Sequence, residues 1–212
     1  MKKLGSILLL AVIAAPGAAY DHPLGSSAIR EAYFKSSGRF AEFLGTYTKN
    51  LPAPKPGPHV AQIEVRTPFA QVIVSSHEHS VGYSPMQAAQ DYKKNPETLQ
   101  VRIQICATAT YAIDSIVAAP QGLYQGVQRM NSAKECFHEF QFRFRQGENI
   151  RPKSSYGVPI YSGGDNAASI LVAADVWFVF STNEIASEPF SVTVSTPDGQ
   201  MVSAEFDLVS LR

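Results

Sequence analysis

Hydrophobic and polar positions alternate along much of this chain, most plainly over residues 169–211. An apolar run, Ile170-Leu171-Val172-Ala173-Ala174, leads through Asp175 into Val176-Trp177-Phe178-Val179-Phe180. A run of this kind must be covered on both faces, which predicts a central strand of a β core with Trp177 buried in it. Phe190, Val192 and Val194 then alternate with Ser191, Thr193 and Ser195, the pattern of a strand with one solvated face. Thr196-Pro197-Asp198-Gly199 joins it to a further alternating segment, 201–211. Proline presets φ there, Asp bonds the local backbone, and Gly takes the positive φ that closes a hairpin.

The same period of two runs through Ala61, Ile63 and Val65, through Val101, Ile103, Ile105 and Ala107, and through Phe140, Phe142 and Phe144. Val72-Ile73-Val74 predicts a second strand over 70–76, after a stop at Thr67-Pro68. Residues 111–135 fit strand or helix. Residues 146–168 carry no periodicity and read as a long loop.

Helical signals are confined to two places. Within 20–50, Ser26-Ser27 can cap a helix bearing Ile29, Ala32 and Tyr33, and Phe40, Phe43, Leu44 and Tyr47 form the stripe of a second. At about 84–94, Ser84, Pro85 and Gln87 make a capping box, with Lys93 and Lys94 at the far end of the helix dipole. Leu51-Pro52-Ala53-Pro54-Lys55-Pro56-Gly57-Pro58 reads as a stiff polyproline spacer. The expected fold is mainly β: an antiparallel β-sandwich over 59–212, immunoglobulin-like in a loose sense, joined through the linker 51–58 to a helical segment at 20–50. Trp177 follows both cysteines, so the Cys…Trp…Cys order of true immunoglobulin domains is absent.

Composition changes this picture chiefly through the first residues. Lys2-Lys3, the apolar stretch 4–16 and Gly17-Ala18-Ala19 have the three parts of a secretory signal peptide over residues 1–19. The apolar stretch is shorter than the roughly 20 residues a bilayer span needs. The expected location is therefore periplasmic or secreted, with no transmembrane span after cleavage. The chain has 18 basic and 18 acidic side chains, and losing Lys2 and Lys3 leaves a formal charge of −2. That balance gives no support to nucleic-acid binding. In an oxidising compartment Cys106 and Cys136 are expected to pair. Closing that loop of about 30 residues is worth roughly 3–4 kcal/mol on the chain-entropy model.

His77-Glu78-His79 is the sharpest candidate for chemistry. On a strand the period of two would set His77 and His79 side by side, as β proteins present two imidazoles to copper or zinc. A third ligand would have to come from His59, His138 or Asp175. Cleavage after Ala19 would expose Tyr20-Asp21-His22, which resembles the amino-terminal copper- and nickel-binding motif. Asp175 interrupts the most apolar run, and the reading favoured for it is a bulge or strand end. Arg66, Arg102, Arg143 and Arg145 fall on outward faces and, if adjacent, could hold an anionic ligand or glycan. The loop Lys153-Ser154-Ser155-Tyr156-Gly157 to Tyr161-Ser162-Gly163-Gly164 has the Tyr/Ser/Gly mix of binding loops.

No G-x-S-x-G, P-loop, H-E-x-x-H or G-x-G-x-x-G occurs, and no two carboxylates are placed as acid and base. The residues point to an exported, non-catalytic β-sandwich with a binding or structural role in the cell envelope, its partner a protein or glycan. The competing reading is a small copper- or zinc-binding protein using His77 and His79.

Overall fold

The computed structural model describes residues 22–79, 81–111, 139–162 and 170–211. Two antiparallel sheets and four short helices make up the described chain. The first sheet is ordered β1 (Thr48–Asn50), β2 (His59–Arg66), β3 (Thr98–Cys106), β7 (Ile170–Ser181), β6 (Ser154–Ser162). The second is ordered β5 (Glu148–Ile150), β4 (Gln141–Gln146), β8 (Pro189–Ser195), β9 (Met201–Asp207). Two antiparallel sheets that share one core make the expected sandwich-like arrangement.

The core forms where the alternating apolar sides of both sheets meet. Ile63, Val65, Val101, Ile103, Ile105, Val176, Phe178 and Phe180 of the first face Phe144, Phe190, Val192, Val194 and Phe206 of the second. Phe144 packs against Phe178 at 4.8 Å and edge-on to Phe180 at 5.0 Å between ring centroids, which ties the sheets together by directed aromatic contacts. The last hairpin has the expected turn: Gly199 sits at φ 84, and Thr196 N–H donates to Gln200 O at 2.9 Å.

β7 is interior to its sheet, flanked by β3 and β6, but its two faces are not equally covered. Phe178 and Phe180 are buried, whereas Trp177 and Val179 on the other side are only half-buried. Trp177 therefore belongs to the outer face, not the core.

Two expectations about secondary structure are overturned. The strand expected at 70–76 is a helix, α3 (Pro68–Glu78). Thr67 caps it by accepting from Ala70 N–H, and Pro68 takes the first turn, where a missing N–H costs nothing. Its β-branched residues are tolerated because the helix is buried nearly all round. Ala70 joins the sheet core, while Phe69, Val72 and Ile73 join a second apolar cluster. The expected loop at 146–168 holds β5 and β6 in its described part. β6 lies at the edge of the first sheet, so Gly157 and Pro159 are tolerated there.

The other helices fall close to expectation: α1 (Ser26–Lys35), α2 (Phe40–Thr46) and α4 (Pro85–Lys94), the last with the Ser84–Gln87 capping box formed. Gly25, not Ser26 or Ser27, is the N-cap of α1. Leu24, Ala28, Ile29 and Ala32 pack on Phe69, Val72, Ile73 and Ala88, forming a helical layer with its own small core. Residues 51–58 are fastened to the body. Thr108 Oγ1 donates to Gly57 O, Gly57 N–H donates to Thr110 Oγ1, and Gln200 Nε2 donates to Pro56 O. Among the described residues no helix is long and apolar enough to cross a membrane.

Candidate functional site

The outer face of the first sheet collects polar and aromatic side chains in rows, because antiparallel pairing sets residues that share a face side by side. Glu64 lies opposite Arg102, which lies opposite Trp177, which lies opposite Tyr156. The next row runs Gln62, Gln104, Asp175, Val158. Ala107 N–H donates to Val172 O, so by the alternation of antiparallel ladders Arg102–Trp177 and Gln104–Asp175, across β3 and β7, are non-hydrogen-bonded pairs, whose side chains approach most closely.

The charges in this array satisfy one another. Glu64, 2 % exposed, accepts from Arg102 Nη1 at 2.7 Å with one oxygen and from Arg66 Nε with the other. Arg102 Nε lies 3.0 Å from Asp175 Oδ2, a charge contact off the N–H axis, so among the described residues this buried N–H has no directed hydrogen bond. Gln104 Nε2 donates to Asp175 Oδ1 at 3.2 Å. Burial works against the Arg102 charge, but the Asp175 and Glu64 carboxylates together outweigh it and raise its pKa. The Cys106 thiol beyond Asp175 is pushed up by burial and then by that negative charge, so it is held away from thiolate chemistry.

The Arg66 guanidinium covers the Trp177 ring at 4.7 Å, and Tyr156 lies nearly parallel to Trp177 at 6.0 Å between centroids. Beside the Arg66–Trp177 stack β6 exposes Tyr156 and Val158 on this face at 46 and 45 %, while Tyr161, at odd spacing from them, falls on the opposite face at 51 %. The face thus has each carboxylate and guanidinium of the array engaged by another. It offers a rigid aromatic and apolar surface.

The bulge expected at Asp175 is displaced. Asp175 pairs regularly with both Gln104 and Val158, and the irregularity of β7 lies nearer its start, opposite Ile160 and Tyr161. The four arginines do not converge. Arg66 and Arg102 share Glu64 on the first sheet, while Arg143 and Arg145 are exposed on the second, opposite Thr193 and Ser191.

His77 and His79 sit at the C-terminal end of α3, so the period-two argument that paired them does not apply. The His77 ring stacks on Phe40 at 3.7 Å, and its Nδ1 lies 2.9 Å from Ser36 O. The His79 ring stacks on Tyr83 at 4.1 Å, and its Nδ1 bonds Ser75 O. Both line one open cleft of about 470 Å³ between the C-terminal ends of α1 and α3. A second cleft, of about 370 Å³, lies between α3, α4 and the first sheet, and its Gln71, Asp91 and Tyr92 already have protein partners.

His59 Nε2 lies 3.2 Å from Leu51 O. Among the described residues no group of three or more His, Cys, Asp and Glu side chains is placed to hold a metal ion. His138, Tyr20-Asp21 and Cys136 lie outside the described residues, and with Cys136 so does the expected disulfide. Sequence reasoning missed the Tyr156–Trp177–Arg66 platform because it depends on which strands are neighbours. Compared with protein-family models, curated proteins and solved structures, the chain matches none.

Proposed function

We propose that this chain is an exported, non-catalytic β-sandwich protein that binds a protein or glycan partner in the cell envelope through the outer face of its first sheet. The observation that carries this reading is the exposure of Tyr156 and Val158 beside the fixed Trp177–Arg66 platform. Tyr156 and Val158, two positions apart, share the outer face of an ordered edge strand, and exposed apolar side chains grouped in this way are a usual mark of an interaction surface. Recognition is by side chains rather than by strand addition, because Pro159 in the middle of β6 has no N–H to offer an incoming strand. Export rests on residues 1–19 and places the protein in the periplasm or outside the cell.

The test is capture from envelope extract by the immobilised protein, run beside a Tyr156→Ser/Val158→Ser variant, with a panel of purified envelope glycans as a second arm. Partners retained by the parent and lost by the variant support the reading and tell protein from glycan. Equal retention by both, or none by either, overturns it. The export reading also carries the Cys106–Cys136 bridge: thiol titration of the denatured, unreduced protein should find no free cysteine.

A further inference from the structure

The arginines of this chain divide by how they are engaged. Arg39 pairs with Glu42, Arg66 and Arg102 share Glu64, and Arg30 lies over the Phe34 ring. Arg143, Arg145 and Arg151 are exposed, and among the described residues none has a carboxylate within ion-pairing distance or a ring beneath it. All three belong to one place. Arg143 and Arg145 flank the buried Phe144 on β4, so both project from the outer face of the second sheet, about 7 Å apart. Arg151 follows Ile150, the β5 residue opposite Phe144, and so comes level with Arg143. Like charges left side by side repel, and a bound anion relieves that repulsion.

The neighbouring positions select the kind of anion. Arg143 lies opposite Thr193, which lies opposite Ser203, and the two hydroxyls meet at 3.0 Å. Arg145 lies opposite Ser191, which lies opposite Glu205, and Asn149 flanks Arg145 from β5. Glu205 is two strand spacings from Arg145, roughly 10 Å and beyond ion-pairing reach. The face therefore runs from guanidinium forks through hydroxyls to a carboxylate, with donors and acceptors for hydroxyl groups along it. Met201 is the one large apolar side chain exposed on it among the described residues, so it has little to place in a lipid interface. A polar face of this kind suits a carboxylated sugar chain. Its carboxylates take the guanidinium forks, and its ring hydroxyls meet Thr193, Ser203 and Glu205.

We propose that the outer face of the second sheet binds an acidic polysaccharide, its carboxylates on Arg143, Arg145 and Arg151 and its hydroxyls on the Thr193–Ser203 pair. This face lies across the shared core from Tyr156 and Val158, and the proposal does not depend on the reading of the first sheet.

Isothermal titration of the full-length protein with polygalacturonate tests it, beside neutral dextran and hydroxyl-free poly-L-glutamate. Polygalacturonate is expected to bind, more weakly as salt is raised, with dextran not bound and poly-L-glutamate at least about tenfold weaker. Arg143→Gln/Arg145→Gln should weaken polygalacturonate about tenfold or more at unchanged Tm, because both side chains are exposed. Arg143→Lys/Arg145→Lys keeps the charge but loses the forks, and should weaken it about threefold. Lys49→Gln/Lys55→Gln removes the same charge from another part of the surface, and Tyr156→Ser/Val158→Ser alters the other face. Both should bind as the parent does. No binding of polygalacturonate, equal binding of poly-L-glutamate, or equal losses in the two glutamine variants overturns the proposal. Binding to phosphatidylglycerol vesicles that is lost with the arginines, without uptake of polygalacturonate, overturns it in favour of a lipid surface.

Discussion

Arg102 and Asp175 meet across β3 and β7, Nε to Oδ2 at 3.0 Å, while the same guanidinium reaches the other way to Glu64. One cation thus joins the three middle strands of the first sheet. Removing it leaves the Glu64 carboxylate, almost wholly out of water, with Arg66 as its remaining cation. Breaking a fully buried pair costs about 3–5 kcal/mol. Arg102 and Asp175 are 18 and 16 % exposed, so solvent screens part of the loss. Arg102→Ala is expected to cost about 2–3 kcal/mol and Asp175→Asn, which keeps a partner for Gln104, about 1 kcal/mol. Urea denaturation measures both, and an Arg102→Ala protein as stable as the parent would refute the assignment.

Gly57 is at φ 89, and a Cβ there would run into the carboxylate of Asp198 and the amide of Gln200. Gly199, at φ 84, has open space around the same position. Both alanine variants bear the left-handed strain of about 1 kcal/mol. Gly57→Ala must also displace the ends of the Asp198 and Gln200 side chains, and with them the Gln200 bond to Pro56 O. Its loss should exceed that of Gly199→Ala by about 1–2 kcal/mol in thermal denaturation. Equal losses would mean that the close approach is of no consequence.

The Asp198 carboxyl is held below the usual aspartate range, first by the Thr196 hydroxyl and also, against the opposing effect of burial, by Gln200. A carboxylate whose pKa is depressed by folding contributes stability above its unfolded value and loses it as pH falls through the folded one. The window therefore opens near the ordinary aspartate pKa of about 3.9 and extends downward. Stability followed from pH 6 to pH 2 should fall more steeply below about pH 4 in the parent than in Asp198→Asn. Parallel curves would count against the carboxylate.

The two faces of β7 should respond differently to truncation. Phe180 is fully buried and makes edge-on contacts with Phe144 and Phe190, so Phe180→Ala is expected to cost about 3–5 kcal/mol. Trp177 is the larger residue but lies half-buried between Arg66 and Tyr156. Trp177→Ala should cost less, about 1–2 kcal/mol. A larger loss at Trp177 would place the core on the wrong side of the strand.

Two helix caps of the same chemistry differ in burial. Thr67 is fully buried and Ser84 is at the surface. Each accepts a backbone N–H of its helix. Thr67→Ala is expected to cost about 2 kcal/mol and Ser84→Ala about 1 kcal/mol or less, read from chemical denaturation. The reverse order would show that α3 does not depend on its cap.

Much was readable from residue order alone, because it depended on neighbours within a few positions. The faces of β3, β4 and β8 follow from a period of two, the α4 box from Ser84 and Gln87, and the hairpin turn from Pro197-Asp198-Gly199. Thr67-Pro68 is the same cap-and-proline signal as Ser84-Pro85 and could have revealed α3. The apolar run Val72-Ile73-Val74 masked it, since a helix buried on almost all sides shows no amphipathic stripe. β6 escaped because an edge strand needs no buried face to form, only a neighbour to pair with. Tertiary structure alone decided which strands are neighbours. Pairing between β3 and β7, some seventy positions apart in the chain, sets Asp175 against Gln104 and Arg102 instead of in a bulge. Placing β2 and β4 in different sheets divides the four arginines into two pairs. Local chemistry specifies the faces of each element, while the register and order of strands, set by burying all the apolar faces at once, decide what those faces bring together.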